Sequence, residues 1–353
     1  MKPYKDLSAS AQNAYADLFD AAQALHVSNS IAGLNGSFGK KRVHGHDYWY
    51  FQYRDIGGAV KQLYVGPQSE KLEALIRVHR DHAGPSTRPL QPLAAAAVAL
   101  GCEPLLPKHF RVIRRLAEYG FFKRGGILVG THAFTVMSNM LGIVPAERMQ
   151  TQDVDLAHAG KNISVALPAN IVVETAAAIE SLQMGLLPIA SLSGKSGCTY
   201  LNPSDPAFRL DFLTSKTSES DAPIHVPGLS IALQPLKFME FSMVATTQAA
   251  ALCNEGAVVV NIPRPDRFAI HKLIVSAERD SSATAKSNKD VRQANVLIQY
   301  YLDHRSDEIA ASFQDAWTRG PGWRKRIETG LVRLGKINPE AAAALKKLRV
   351  AIG

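Results

Sequence analysis

Residues Gly125–Ala157 read GGILVGTHAFTVMSNMLGIVPAERMQTQDVDLA, and the rest of the chain is organised around them. Three apolar residues, Ile127, Leu128 and Val129, read as a short buried strand. Gly130-Thr131 breaks it, and Phe134, Met137 and Leu141 then recur at helical spacing. From Thr151 to Leu156 polar and apolar residues alternate, which is strand periodicity, so Asp153 and Asp155 project from one face. Two carboxylates that close repel each other unless a cation lies between them. A divalent ion is the usual answer, and Mg²⁺ takes one or two carboxylates together with substrate phosphates.

Further along, Phe208-Arg209-Leu210-Asp211-Phe212-Leu213 reads as a second short strand with one carboxylate among apolar neighbours. Strand, Gly-Thr turn, helix, Asp-x-Asp strand and then a lone Asp on a later strand resembles the catalytic core of the polymerase-beta-like nucleotidyltransferase superfamily. Within it the chain is most similar to a bacterial branch of uncharacterised nucleotidyltransferase-fold proteins, itself similar to the abortive-infection toxin-like group. The resemblance extends over about residues 105–305, and Thr131 stands where Ser is commoner, a change that keeps the hydroxyl. It implies an α/β (α+β) fold, with a small mixed nucleotidyltransferase sheet flanked by helices.

The same resemblance implies a chemistry. Asp153, Asp155 and Asp211 would hold Mg²⁺ (or Mn²⁺), with NTP as substrate. Two metals about 3.5–4 Å apart clamp the attacking and leaving oxygens in such enzymes. Gly130 lets the backbone approach the triphosphate, and Thr131 with the following helix N-terminus would bind its outer phosphates. In toxin-like relatives a Lys- and Arg-bearing helix followed by Lys-Asp-x-x-Asp lies beside the phosphates. Here Lys272 and Arg279 fall on one helical face, and Lys289-Asp290 follows, with Gln293 in place of the last acid. Lys272, Arg279 and Lys289 are therefore expected at the nucleotide.

The remainder of the chain sets the boundaries. At 353 residues two or three units are expected: residues 1–90 as an N-terminal helix and β-hairpin region, 91–262 as the catalytic domain, and 263–353 as a C-terminal helical bundle. The Pro-bearing joint from Gly84 to Pro92 marks the first boundary, and Pro263-Arg264-Pro265 the second. No apolar run nears the roughly 20 residues of a spanning helix. Asp17 and Asp20 exclude an apolar signal core, and Cys102, Cys198 and Cys253 lack metal or disulfide spacing, so a cytoplasmic protein is expected. Gly194-Lys195-Ser196 is not a P-loop, because Ile189 stands where that motif needs its first glycine.

Residues 8–26 and 68–83 carry helical periodicity, as do segments from Leu93, Pro107, Pro168 and Arg267. Between Lys40 and Pro67 a β-hairpin is expected, turning at Gly57-Gly58, with Trp49, Phe51 and Tyr53 on one face and Tyr48, Tyr50, Gln52 and Arg54 on the other. One face packs inward, and the other suits a partner subunit, giving an oligomer, or a nucleic acid. The H-x-H of His44 and His46 lacks a third ligand and is not expected to bind metal.

A formal charge of +9 and a pI near 9.4 suit a polyanionic partner such as RNA, including tRNA, while a solvated basic surface is the plainer reading. Arg324, Lys325 and Arg326 in the basic tail either grip an RNA backbone or belong to a solvated helix pair that closes the C-terminal bundle. Two function classes stay open at this stage. One is a metal-dependent enzyme moving a nucleoside monophosphate from NTP to a hydroxyl on RNA or protein, in a toxin-like role or otherwise. The other is a catalytically silent module that reuses the fold to bind nucleic acid or a partner.

Overall fold

The computed structural model describes residues 2–32, 36–43, 46–54, 60–68, 70, 73, 76–77, 90–149, 151–159, 173–189, 197–279 and 283–350. The chain opens with β1 (Tyr4–Asp6) and α1 (Ala9–Ala32), followed by β2 (Gly36–Val43), β3 (His46–Arg54) and β4 (Val60–Pro67). Then come α2 (Leu90–Ala99), α3 (Pro107–Glu118), β5 (Gly126–Leu128), α4 (Gly130–Met140), β6 (Ile143–Pro145) and β7 (Asp153–His158). A short α5 (Thr175–Glu180) precedes β8 (Leu187–Pro188), β9 (Thr199–Asn202), β10 (Asp205–Ser215), β11 (Ile224–Val226) and β12 (Ile231–Leu236). The last part runs through α6 (Met239–Met243), β13 (Thr246–Cys253), β14 (Gly256–Pro263), α7 (Pro265–Glu278) and α8 (Thr284–His304). It ends with α9 (Ser306–Thr318), α10 (Pro321–Gly335) and α11 (Pro339–Val350).

The fold is mixed α/β, as expected. Its central sheet is ordered β11-β12-β10-β7-β5, with β9 also on β10 and β8 on β9. β10 runs parallel to β7 and to β12, whereas β5 on β7 and β9 on β10 are antiparallel. Alternation along β10 explains why it sits centrally. Phe208, Leu210 and Phe212 are buried on one face, each contributing roughly 1.5–3 kcal/mol relative to exposure. Val154 and Leu156 of β7 join them in the same core, with Phe110, Phe134, Phe268 and Leu297 from the surrounding helices. The opposite face of both strands carries the charged residues.

Proline placement sets several helix starts. Pro107, Pro265 and Pro321 each stand in the first turn of α3, α7 and α10, where a missing N–H costs nothing. The last five helices form the C-terminal bundle, in which α7 packs against α8, α9 and α10. Gly330 permits the α7–α10 contact, since a Cβ there would lie 2.7 Å from the Leu273 carbonyl oxygen. At the N-terminus, α1 and α2 cover the β13–β14 hairpin through Leu18, Ala22, Ala94 and Val259.

Several elements differ from the sequence expectation. The aromatic hairpin is a three-stranded antiparallel sheet, because Gly36–Val43 pairs along β3 before β4 returns on its other side. Trp49 and Phe51 do face inward, with Phe38 and Ile76, in a small core. The Gly57-Gly58 turn, His44 and most of the expected 68–83 helix lie outside the described residues. The helix expected from Pro168 to Met184 is described only from 173, and its helical part is Thr175–Glu180; Gln183 already takes a positive φ. β13 carries little strand signal of its own: Thr246–Cys253 is alanine-rich, and it is held by its full register on β14. Among the described residues no helix is long and apolar enough to cross a membrane.

Candidate active site

Parallel pairing of β7 with β10 places Asp155 opposite Asp211 and Asp153 opposite Arg209. Since side chains alternate, all four project from the one face that is not in the core, as a two-by-two array. Arg209 holds this array together electrically. Its Nη2 lies 3.4 Å from Asp153 Oδ2, and its Nε lies 2.9 Å from Asp211 Oδ2 without aiming its N–H there. On the far side of β10, Thr199 Oγ1 donates to Asp211 Oδ1 at 2.7 Å. No motif marks Arg209 as part of the site, yet its i−2 position relative to Asp211 already puts both on one face.

Gly130 closes the array from below. It opens α4 with φ +66, and a Cβ there would come 2.0 Å from Asp155 Oδ2. Only glycine allows the helix N-terminus to sit that close to the carboxylate. The Asp155 carboxyl is pushed up to about 6, first by burial and then by Asp211 beside it, against the pull of Lys272. Thr131 is buried, and its Oγ1 accepts from Gln293 Nε2 at 3.2 Å, which leaves the hydroxyl proton free to donate. Gln293 thus supports the Gly-Thr turn from the position where relatives are expected to carry an acid.

Facing the carboxylates across a cleft of about 690 Å³ stand the cations of α7 and α8. Lys272, Arg279 and Lys289 all line it, with Gly130, Thr131, Asp153, Asp155 and Asp211. Every residue expected at the site therefore borders one cavity. Two of the cations are already engaged: Lys272 Nζ donates to Asp290 Oδ1 at 2.7 Å, and Arg279 Nε to Asp290 Oδ2 at 2.5 Å. Burial works to raise the Asp290 carboxyl, but Lys272 and Arg279 hold it below the usual range. Lys289 makes no ion pair among the described residues, and burial and then Lys272 lower its pKa. Lys216, Lys237 and Lys286 add charge at the cleft wall, and His271 is held neutral by burial and then Lys272, its pKa lowered to about 4. Lys216, Lys237 and His271 are not legible as site residues in the sequence, because no local pattern ties them to the acids.

The arrangement is dipolar: hard carboxylate oxygens on the sheet, ammonium and guanidinium groups on the helices. Asp153, Asp155 and Asp211 fit Mg²⁺ or Mn²⁺ by donor type. Among the described residues no three acidic, His or Cys side chains are drawn together around one point, and the Arg209 guanidinium lies among the acids. An ion held there would take the place of that guanidinium.

In the basic tail, two of the three expected cations have partners within the protein. Arg324 Nε donates to the Trp317 carbonyl at 3.0 Å, while Arg326 pairs with Glu278 and lies over the Phe238 ring at 4.8 Å. These two residues serve in packing α10 against its neighbours.

Residues 108–318 match the model of a family described as Nucleotidyltransferase, and the chain belongs to that family. A comparison with curated proteins found no match. Among solved structures the chain is similar to an antigenic nucleotidyltransferase-like protein from Paracoccidioides brasiliensis, at 14% identity and a TM-score of 0.32. That similarity covers 69% of this chain and 95% of the other.

Proposed function

We propose that this nucleotidyltransferase moves a nucleoside monophosphate from NTP to a hydroxyl acceptor with the help of Mg²⁺ or Mn²⁺. The observation that supports this reading is the pairing of Asp155 with Asp211 on one sheet face, opposite a cationic wall. Phosphoryl chemistry asks the protein chiefly to align nucleophile, phosphorus and leaving group and to neutralise charge. Each wall of the cleft meets one part of that demand.

The triphosphate would enter between α4 and α7. The Thr131 hydroxyl and the α4 N-terminus would donate to its oxygens, and Lys289 would supply a charge that no carboxylate among the described residues pairs with. Lys272 keeps two further donors after its bond to Asp290, and Asp290 fixes where they point. Asp153, Asp155 and Asp211 would hold the divalent ion, which when bound supplies charge neutralisation and lowers the pKa of the acceptor hydroxyl. Asp211, which accepts a hydrogen bond from Thr199, would take the hydroxyl proton.

Calorimetric titration of NTP with and without Mg²⁺ tests the reading. Mg²⁺-dependent binding that Asp153→Ala abolishes, together with loss of label transfer from α-³²P-NTP, is the expected result. Binding without any label transfer to cell-extract acceptors would instead mean a silent module that keeps the fold. A toxin-like role of the same chemistry predicts growth arrest on expression, relieved by Asp153→Ala.

A further inference from the structure

Beside the site just described, and opening on its rim, lies a second cleft of about 480 Å³. It is formed where the end of α7, the first turns of α8 and the last turn of α10 meet. Arg279, Arg292, Arg333 and Lys336 line it, with Asn288 and Ile337, and none of its lining residues among those described carries a carboxylate. Arg279 borders both clefts, so the two share a cation where they adjoin. We propose that this second cleft binds the phosphodiester backbone of a nucleic-acid strand, whose terminal hydroxyl is the acceptor in the first cleft. The proposal rests on the nucleotidyl-transfer reading for the role of the strand, but not for its binding.

Three guanidinium groups converge on the cleft, and their planar forks match phosphate oxygens in pairs. Two of them are held in place by other groups. Arg279 is anchored on buried Asp290, and Arg333 donates to the Ser276 carbonyl and to Ser287 Oγ, so neither needs to be ordered by the ligand. Among the described residues Arg292 pairs with Glu147, an exposed pair that a phosphate can replace at small cost. Lys336 makes no ion pair among the described residues.

Size and surroundings agree with a strand. A cleft of this volume exceeds what one phosphate fills, and cations continue from it into the nucleotide cleft, which suits a repeated charge. Ile337, 48% exposed on the rim, and Val291 on the floor give a sugar or base an apolar surface. Guanidinium forks also pair with carboxylates, so an acidic peptide is the competing occupant, which the polyglutamate arm of the test addresses.

The test uses the full-length protein and a fluorescein-labelled 12-nucleotide strand, as RNA and as DNA of one sequence, read by anisotropy at two salt concentrations. The variants are Arg292→Ala with Lys336→Ala, and, as a charge-matched control, Arg324→Ala with Lys325→Ala. With the first pair, affinity for the strand is expected to fall about tenfold, and the salt slope to flatten by about 0.7 per lost phosphate contact. The control pair should change binding less than threefold, and calorimetric Mg²⁺–NTP binding should be unchanged in both. Equal loss in the two double variants, no binding of either strand by the wild type, or equal displacement by polyglutamate of matched charge would overturn the proposal. If the strand binds through Arg292 and Lys336 while NTP does not bind, the cleft assignment stands and the nucleotidyl-transfer reading falls. If NTP binds and the strand does not, the cleft assignment falls and nucleotidyl transfer stands.

Discussion

Replacing Asp290 by asparagine removes one negative charge from a triad whose centre is nearly sealed. Asp290 has 1% of its side chain exposed and Lys272 10%, whereas Arg279 retains 33% and can turn to water. The variant thus leaves one buried ammonium without its counter-ion. Breaking a buried pair from one side costs about 3–5 kcal/mol. There is a ceiling, because an ordinary lysine can shed its proton at pH 7.5 for about 4 kcal/mol. A loss of about 3–4 kcal/mol is therefore expected. Adding Lys272→Met removes the stranded charge and should restore stability to within about 1 kcal/mol of wild type.

Urea unfolding in EDTA reads this directly, through the fluorescence of Trp317 and Trp323 on the helices beside α7. The depressed Asp290 pKa gives the sign with pH: the stabilisation is complete above about 3.9, the unfolded carboxylate value, and is lost as pH falls through the lower folded value. A single variant within 1 kcal/mol of wild type, or a double variant no more stable than the single, would rule out a stranded charge as the cause. The double variant also sorts the roles of Lys272. If it folds well yet binds Mg²⁺–NTP weakly, the ammonium touches phosphate; unchanged binding makes it a counter-ion to Asp290 alone.

Three other perturbations test the carboxylate face. The Asp155 pKa, raised from 3.8 to about 6, means its burial penalty is absent below pH 4 and complete above pH 6, so metal-free Asp155→Asn should melt higher at pH 8 but not at pH 4. An equal Tm difference at both values would contradict burial as the cause. Gly130→Ala places a methyl 2.0 Å from Asp155 Oδ2 at φ +66, and should weaken Mg²⁺–NTP binding at least tenfold and lower stability by about 1–3 kcal/mol; wild-type calorimetry in that variant would show that the close approach does not matter. Arg209→Ala takes away the guanidinium that competes for Asp153 and Asp211, so Mg²⁺ alone should bind about threefold to tenfold tighter; weaker binding would make Arg209 a supporting residue of the ion site.

Read without its structure, the chain discloses what is local. Alternation along Thr151–Leu156 and Phe208–Leu213 puts Asp153, Asp155, Arg209 and Asp211 on definite strand faces, because a strand's period is fixed by its own backbone. Proline and glycine mark the starts of α3, α7 and the Gly130 turn for the same reason, since each acts through its own φ. How these pieces meet is a tertiary matter. Nothing near Asp211 specifies that it pairs with Asp155 and not with a neighbour; that register follows from Leu210 and Phe212 packing beside Val154 and Leu156 in one core. An alanine-rich segment became β13 because β14 and α1 offered it a partner and a cover. The sequence marks Asp290 only as part of the Lys-Asp-x-x-Gln segment, and its capture of Lys272 and Arg279 depends on how α7 packs against α8. The second basic cleft is further still from local pattern: its cations lie on or just past three helices between residues 279 and 336, and the packing of α10 on α7 at Gly330 brings Arg333 and Lys336 to Arg279. Contacts between distant segments are set by the fit of whole surfaces, which no window of neighbouring residues contains.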